Sequence, residues 1–128
     1  MADPFKQYIK GRANSFKYAF SGLAYVVLTQ RNGQIHLAAT IIVVILALFS
    51  RLNPIETAIV LLCTAIVWIT ELFNTAVEAL VDLCSPGFHP LAQTSKDIAA
   101  AAVLVSAILS AAIGLLIFYP HLSALFIK

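Results

Sequence analysis

Five polar side chains recur at helical spacing in one twelve-residue stretch, ELFNTAVEALVD, which runs from Glu71 to Asp82. The spacing i, i+3, i+4, i+7 and i+11 places all five on one side of an α-helix. We call them the acidic stripe: Glu71, Asn74, Thr75, Glu78 and Asp82. Carboxylate oxygens are the ligands that Mg²⁺ prefers, so the stripe is suited to a divalent metal that also holds a polyanion.

The acidic stripe also has a simpler interpretation, as the solvated end of a long helix. Solvated helix ends usually mix positive and negative side chains, whereas the stretch from Glu71 to Asp82 contains no Lys or Arg. This one-signed charge favours metal binding or catalysis over simple solvation.

The composition around the stripe is that of an integral membrane protein. Of the 128 residues, 61% are hydrophobic and only 11% are charged, and the mean hydropathy is +0.94. Soluble domains carry about 25% charged residues, so that class is excluded. The net charge of +2 is too small to indicate a nucleic-acid partner. The length predicts one domain, over residues 1–128.

The hydropathy pattern predicts an all-α membrane protein with an amphipathic surface helix and three transmembrane helices. Residues 1–34 are predicted to be interfacial, because apolar side chains recur there at three- and four-residue spacing opposite a basic face. That face consists of Lys6, Lys10 and Lys17. Residues 35–119 hold the spans, which are predicted at 35–49, 55–83 and 98–119, with a loop at 84–97.

Lysine and arginine are distributed unequally between the two sides, six with the N-terminal segment and the loop and two opposite. The positive-inside rule therefore predicts a cytoplasmic N-terminus and loop and an external C-terminus. Glu71 would lie about 25 Å along the helix from Pro54, near the cytoplasmic edge of the hydrocarbon core. A small oligomeric cation channel or transporter, the alternative of another class, would instead spread its acids across the membrane depth.

Lys96 supplies positive charge where the chain re-enters the membrane. It either anchors the helix end at the interface or reaches back to neutralise phosphate oxygens at the acidic stripe. The sequence contains no G-x-x-x-x-G-K-[ST] loop, so a nucleotide would need a different kind of site.

Two motifs, ELFNTAVEALVD and HPLAQTSKDIAAAAVLV, resemble the small prokaryotic diacylglycerol kinase family, which also contains the undecaprenol kinases. The resemblance runs from Ser15 to about Phe118, and NSFKYAFSGL and NGQIHL are similar to the undecaprenol kinase branch. It implies a multi-pass protein of the bacterial plasma (inner) membrane that forms a homotrimer with active sites shared between subunits. It also implies transfer of the γ-phosphoryl group of ATP to a membrane lipid alcohol, with undecaprenol favoured over diacylglycerol.

The resemblance further implies roles for individual residues. Glu71 is implied as the general base for the lipid hydroxyl, and Glu78 as a ligand of Mg²⁺. The residues implied to bind the nucleotide are Asn74, Gly87, His89, Lys96 and Asp97.

The chain departs from the family pattern at Gln30, in the stretch QRNGQIH. The family pattern is E-x-N-x-x-I-H, and its glutamate is the second metal ligand. Glutamine keeps one carbonyl oxygen but loses the negative charge, so weaker metal binding is expected. An impaired family member, natural or engineered, is therefore the alternative to a fully active kinase.

Other polar residues have open interpretations. His36 ends the QRNGQIH motif, and a structural histidine is at least as good an interpretation as a ligand. His121 lies on the predicted external side with no assigned function, and Glu56 stands alone near that side. A stripe of small residues on the third span fits packing within one subunit or between subunits. It consists of Ala102, Ser106, Ser110 and Gly114.

Overall fold

The structure, a computed structural model, describes the backbone of residues 4–126 and the side chains of residues 14–123. Over that range it contains four helices: α1 (Pro4–Thr29), α2 (Arg31–Ser50), α3 (Pro54–Cys84) and α4 (Pro90–Phe126). Three of them, α2, α3 and α4, are long and apolar enough to cross a membrane. The predicted all-α architecture with three spans is therefore confirmed. The side chains of Lys6 and Lys10 lie outside the described residues.

The start of α3 is determined by the sequence Asn53-Pro54-Ile55-Glu56. The Asn53 Oδ1 atom accepts hydrogen bonds from the Ile55 and Glu56 backbone amides, at 2.9 and 3.0 Å. Glu56 Oε2 accepts one in return from the Asn53 amide at 2.9 Å, which completes a capping box. Pro54, as predicted, begins the helix, where its missing amide hydrogen costs nothing.

Helix α4 is longer at both ends than the predicted third span of 98–119. The predicted loop at 84–97 was wrong in its second half, because the helix begins at Pro90. Proline suits the first turn of a helix, and the His89 Nδ1 atom accepts a hydrogen bond from the Leu91 amide at 3.2 Å. At the other end α4 continues past Pro120 to Phe126.

Helices α1 and α2 are separated by Gln30 alone, which has an extended backbone with φ −95° and ψ 124°. Close packing at this junction requires glycine at position 33. A Cβ atom there would lie 2.7 Å from both the Cγ1 and the carbonyl oxygen of Val26, which is buried. Gly33 thus allows the end of α1 to lie against the first turns of α2.

Polar contacts tie the long helices together. The Thr70 and Ser106 hydroxyls are 2.9 Å apart, and Ser110 Oγ donates to the Cys63 carbonyl at 3.2 Å. Both contacts join α3 to α4, so these two serines of the small-residue stripe face α3 of their own chain. Between α2 and α3, the Trp68 indole N–H donates to Thr40 Oγ1 at 2.9 Å.

Candidate functional site

The acidic stripe runs from the interior of the helical bundle to its surface along α3. Glu71, Asn74 and Thr75 are buried, with 1%, 3% and 8% of their surfaces exposed. Glu78 is half-buried and Asp82 is exposed. We call the end of the bundle that holds residues 85–89 the loop end, and the end that holds residues 51–53 the turn end. The polar face of α3 thus opens toward the loop end.

Glu71 is the most deeply buried member of the stripe. Its Oε2 atom lies 3.8 Å from His36 Nε2, on the second turn of α2. Among the described side chains, neither of these two buried atoms has a hydrogen-bond partner. A buried carboxylate oxygen without a hydrogen-bond partner lowers the stability of the folded protein. Such an unsatisfied group is typical of a site that exchanges a proton or a ligand.

Asn74 and Glu78 lie one turn apart and contact each other. Asn74 Nδ2 donates to Glu78 Oε1 at 3.1 Å, while the buried Asn74 Oδ1 atom has no partner among the described side chains. An amide oxygen and a carboxylate together suit Mg²⁺, which takes one or two protein carboxylates and fills its remaining positions with water and phosphate. Within residues 14–123, no group of three or more His, Cys, Asp or Glu side chains is clustered as a metal site.

Two of the predicted nucleotide-binding residues lie on the first turns of α4, and one of them contacts α3. Lys96 Nζ pairs with Asp82 Oδ1 across the two helices. Asp97 Oδ1 accepts a hydrogen bond from Gln93 Nε2 at 2.7 Å, one turn away on the same helix. Lys96 is therefore held next to the outer end of the acidic stripe, and its charge is balanced by Asp82.

The other predicted site residues lie at the loop end without direct contacts to Glu71 or Glu78 among the described side chains. Gly87 and His89 are exposed in the connection between α3 and α4. Gln30 is half-buried at the α1–α2 junction, where its Nε2 atom lies 3.3 Å from Thr29 Oγ1. The assignment of these three residues to ATP and metal binding stays a prediction.

A cavity of about 690 Å³ lies between α2, α3 and α4. Most of its lining is apolar, including Val43, Val67 and Phe118. His36 and Thr40 line its wall from the side of α2, and Tyr119 and Ser123 lie toward the turn end. His36 lines the cavity and also faces Glu71, so the cavity reaches the neighbour of the buried carboxylate, although Glu71 itself does not line it.

The fold and site define a small membrane protein with three spanning helices and a buried carboxylate near one end. The model of the prokaryotic diacylglycerol kinase family matches residues 17–118. The chain therefore belongs to the prokaryotic diacylglycerol kinase family.

Individual relatives carry two names. The chain is 44% identical over 108 residues to an undecaprenol kinase of Bacillus subtilis, a match that covers 84% of this chain and 88% of the relative. It is 40% identical over 114 residues to a diacylglycerol kinase of Synechocystis, covering 88% of this chain but 65% of that relative. A diacylglycerol kinase of Escherichia coli is 25% identical over 104 residues, covering 81% and 85%.

Two features of the site were missed in the sequence. Thr75 was recognised only by its spacing, yet its hydroxyl oxygen is buried beside Asn74 without a partner among the described side chains. The contact between His36 and Glu71 was not anticipated, since the two residues are 35 positions apart. The only available signal was that His36 ends a motif adjoining the predicted metal ligand Gln30.

Proposed function

We propose that this protein transfers the γ-phosphoryl group of ATP to the hydroxyl of a membrane lipid. The observation that carries the proposal is the Glu71 carboxylate, which is buried, lacks a partner at Oε2 within the described side chains, and lies in the family's most specific motif. Phosphoryl transfer depends mainly on positioning and charge neutralisation, which a fixed polar stripe can provide.

The residues divide into three roles along α3 and the start of α4. Glu71 takes the proton from the lipid hydroxyl as that oxygen attacks the γ-phosphorus, and the bond from the γ-phosphorus to the β–γ bridging oxygen breaks to release ADP. Glu78 and the Asn74 amide oxygen would hold Mg²⁺, with Gln30 as a weaker ligand, and the ion would supply charge neutralisation for the phosphates. The nucleotide is bound at the loop end by residues that include Gly87, His89, Lys96 and Asp97.

The lipid chain would occupy the cavity that borders His36. His36 lines the cavity and also faces Glu71. A lipid whose apolar chain lies in the cavity would therefore bring its hydroxyl toward Glu71. The described lining of the cavity contains no carboxylate, which argues against a cation pathway through it. The undecaprenol kinase motifs NSFKYAFSGL and NGQIHL favour undecaprenol over diacylglycerol as the substrate.

The membrane setting follows from charge and exposure. Residues 1–34 would lie on the cytoplasmic surface and residues 35–119 would cross the bilayer, with the C-terminus outside. Large apolar residues such as Leu48, Leu104 and Leu116 are exposed on the single chain, as expected for contact with lipid or other subunits. A homotrimer with shared sites fits the small size of the bundle, which cannot enclose both ATP and a lipid.

The test is phosphate transfer from labelled ATP by purified protein in mixed micelles, with undecaprenol and diacylglycerol offered separately. Transfer to one lipid, abolished in Glu71→Gln, is the expected result. Absence of transfer to either lipid by a folded oligomer that binds ATP and Mg²⁺ would contradict the proposal. It would support the second candidate, a catalytically impaired family member, for which Gln30 is the specific reason.

A further inference from the structure

His36 lies opposite the proposed general base, although the function proposed above gives it no task. The His36 side chain is 14% exposed, and its Nε2 atom points toward Glu71 Oε2 at 3.8 Å. This distance is longer than a hydrogen bond, which requires about 2.7–3.2 Å. Catalytic hydrogen bonds are often long in the free enzyme and shorten when substrate binds.

The backbone around His36 is held in place by a second contact between α2 and α3. Thr40 Oγ1 donates to the His36 carbonyl oxygen at 2.7 Å and accepts the Trp68 indole N–H at 2.9 Å. Trp68 precedes Glu71 by about one turn on α3. Thr40 and His36, one turn apart on α2, therefore lie against Trp68 and Glu71, about one turn apart on α3. The Thr40–Trp68 contact keeps His36 opposite Glu71.

We propose that His36 is a positioning residue for Glu71, in an inference that rests on the proposed kinase function. Its Nε2–H group donates to Glu71 Oε2 and fixes the carboxylate so that Oε1 accepts the proton of the lipid hydroxyl. The imidazole keeps its own proton throughout, so the transferred proton ends on Glu71. The Thr40–Trp68 contact sets the register between the two helices.

This arrangement answers a physical need of the buried carboxylate. A carboxylate with almost no exposed surface loses its hydration and must find hydrogen-bond donors in the protein. His36, whose Nε2 atom lies 3.8 Å from Oε2, can supply such a donor from the facing helix. A reacting group displaced by about 1 Å can lose on the order of 10²-fold in rate, so a fixed carboxylate matters for turnover.

The kinetic test compares His36→Leu with His36→Gln, because glutamine restores an N–H donor at a similar reach. We expect His36→Leu to lower kcat by about 10²-fold with KM for ATP changed less than about twofold. His36→Gln should recover about tenfold of that loss. Wild-type kcat in the leucine variant, or equal losses in the two variants, would overturn the proposal.

Two NMR readouts make the result independent of turnover. The Trp68 indole N–H signal, shifted by its bond to Thr40, reports whether each His36 variant keeps the native register. In protein labelled with ¹⁵N-histidine, Glu71→Gln should shift the His36 Nε2 signal. The matched control Glu56→Gln should shift the signal of His121, its own partner, and leave that of His36 unchanged.

The outcomes separate the two proposals. If the wild-type enzyme is active but Glu71→Gln leaves the ¹⁵N signal of His36 Nε2 unchanged, the positioning role alone is overturned. An inactive wild-type protein would overturn the proposed function and with it the role in transfer, whether or not the NMR contact is present.

Discussion

The protein contains two histidine–glutamate pairs on α3, the turn-end pair of His121 with Glu56 in the first turn and the loop-end pair of His36 with Glu71 near the middle of the helix, and they are built differently. At the turn end, His121 Nε2 lies 3.2 Å from both oxygens of Glu56, and Glu56 Oε2 also accepts the Asn53 amide. At the loop end, His36 and Glu71 are 3.8 Å apart, and neither facing atom has a hydrogen-bond partner among the described side chains. The facing atoms of the histidine and the glutamate have hydrogen-bond partners in the turn-end pair and lack them in the loop-end pair.

The difference follows from where each glutamate lies on α3. Glu56 occupies the first turn, where free backbone amides and the helix dipole stabilise a carboxylate. Glu71 lies near the middle of the helix, where every neighbouring backbone amide is already bonded. Only a side chain from another helix or a bound ligand can satisfy it. The turn-end pair therefore has a structural role, whereas the loop-end pair is suited to chemistry.

The largest expected difference between the two pairs is in catalysis. Glu71→Gln should lower phosphate transfer by about 10²–10⁴-fold, the usual contribution of a general base, because the amide cannot take the hydroxyl proton. Glu56→Gln, the same change at the other pair, should leave the rate within about twofold. Both variants are measured with labelled ATP and lipid in mixed micelles. Equal losses in the two would show that the pairs do not differ in function.

A second prediction concerns the missing acid at the loop end. Gln30→Glu should restore a carboxylate to the proposed metal site and lower the Mg²⁺ concentration for half-maximal activity by about tenfold. The control is Gln34→Glu, which adds the same charge near the α1–α2 junction but replaces an amide that bonds to the Leu28 carbonyl. If both variants respond alike, general charge rather than a metal ligand at position 30 explains the effect.

Lys96 provides a more specific effect at the loop end, confined to ATP binding. Lys96→Gln should raise KM for ATP by about tenfold or more, since a hydrogen bond to a charged group contributes about 1.5–3 kcal/mol. Asp82→Asn, which releases Lys96 from its ion pair, should not raise KM in the same way. Steady-state kinetics with varied ATP measure both values. A rise in Asp82→Asn as large as that in Lys96→Gln would mean that the ion pair itself, not the free lysine, supports nucleotide binding.

The sequence predicted the helices that carry the two pairs but neither of the pairs themselves. Hydropathy located all three spans, and the stripe of α3 was recognisable because its spacing lies within one helix. His36 and Glu71 are brought together by the crossing of α2 and α3, and His121 and Glu56 by contact over 65 positions. Neither crossing is determined by local pattern. Glu56 was taken to stand alone for this reason.

The errors at the ends of α4 have local causes. Pro86, Gly87 and Pro90 gave residues 84–97 the composition of a loop, yet Pro90 occupies the first turn, where proline is tolerated. The predicted third span ended at residue 119, just before Pro120, but α4 continues beyond that proline. The contact of His121 with Glu56 holds that last segment against α3. A tertiary contact thus prevailed over the local signal for helix termination.

The smallest expected effects belong to the turn end and concern stability. Asn53→Ala removes the acceptor for the Ile55 and Glu56 amides and should lower the free energy of unfolding by about 1 kcal/mol. His121→Leu should lower the melting temperature in detergent micelles by releasing the end of α4 from α3. Neither change should alter kcat or KM, because the turn end lies far from Glu71. Thermal unfolding of each variant, measured alongside phosphate transfer, checks both statements. A loss of turnover at unchanged stability would place the turn-end pair in the catalytic machinery and remove the distinction between the two pairs.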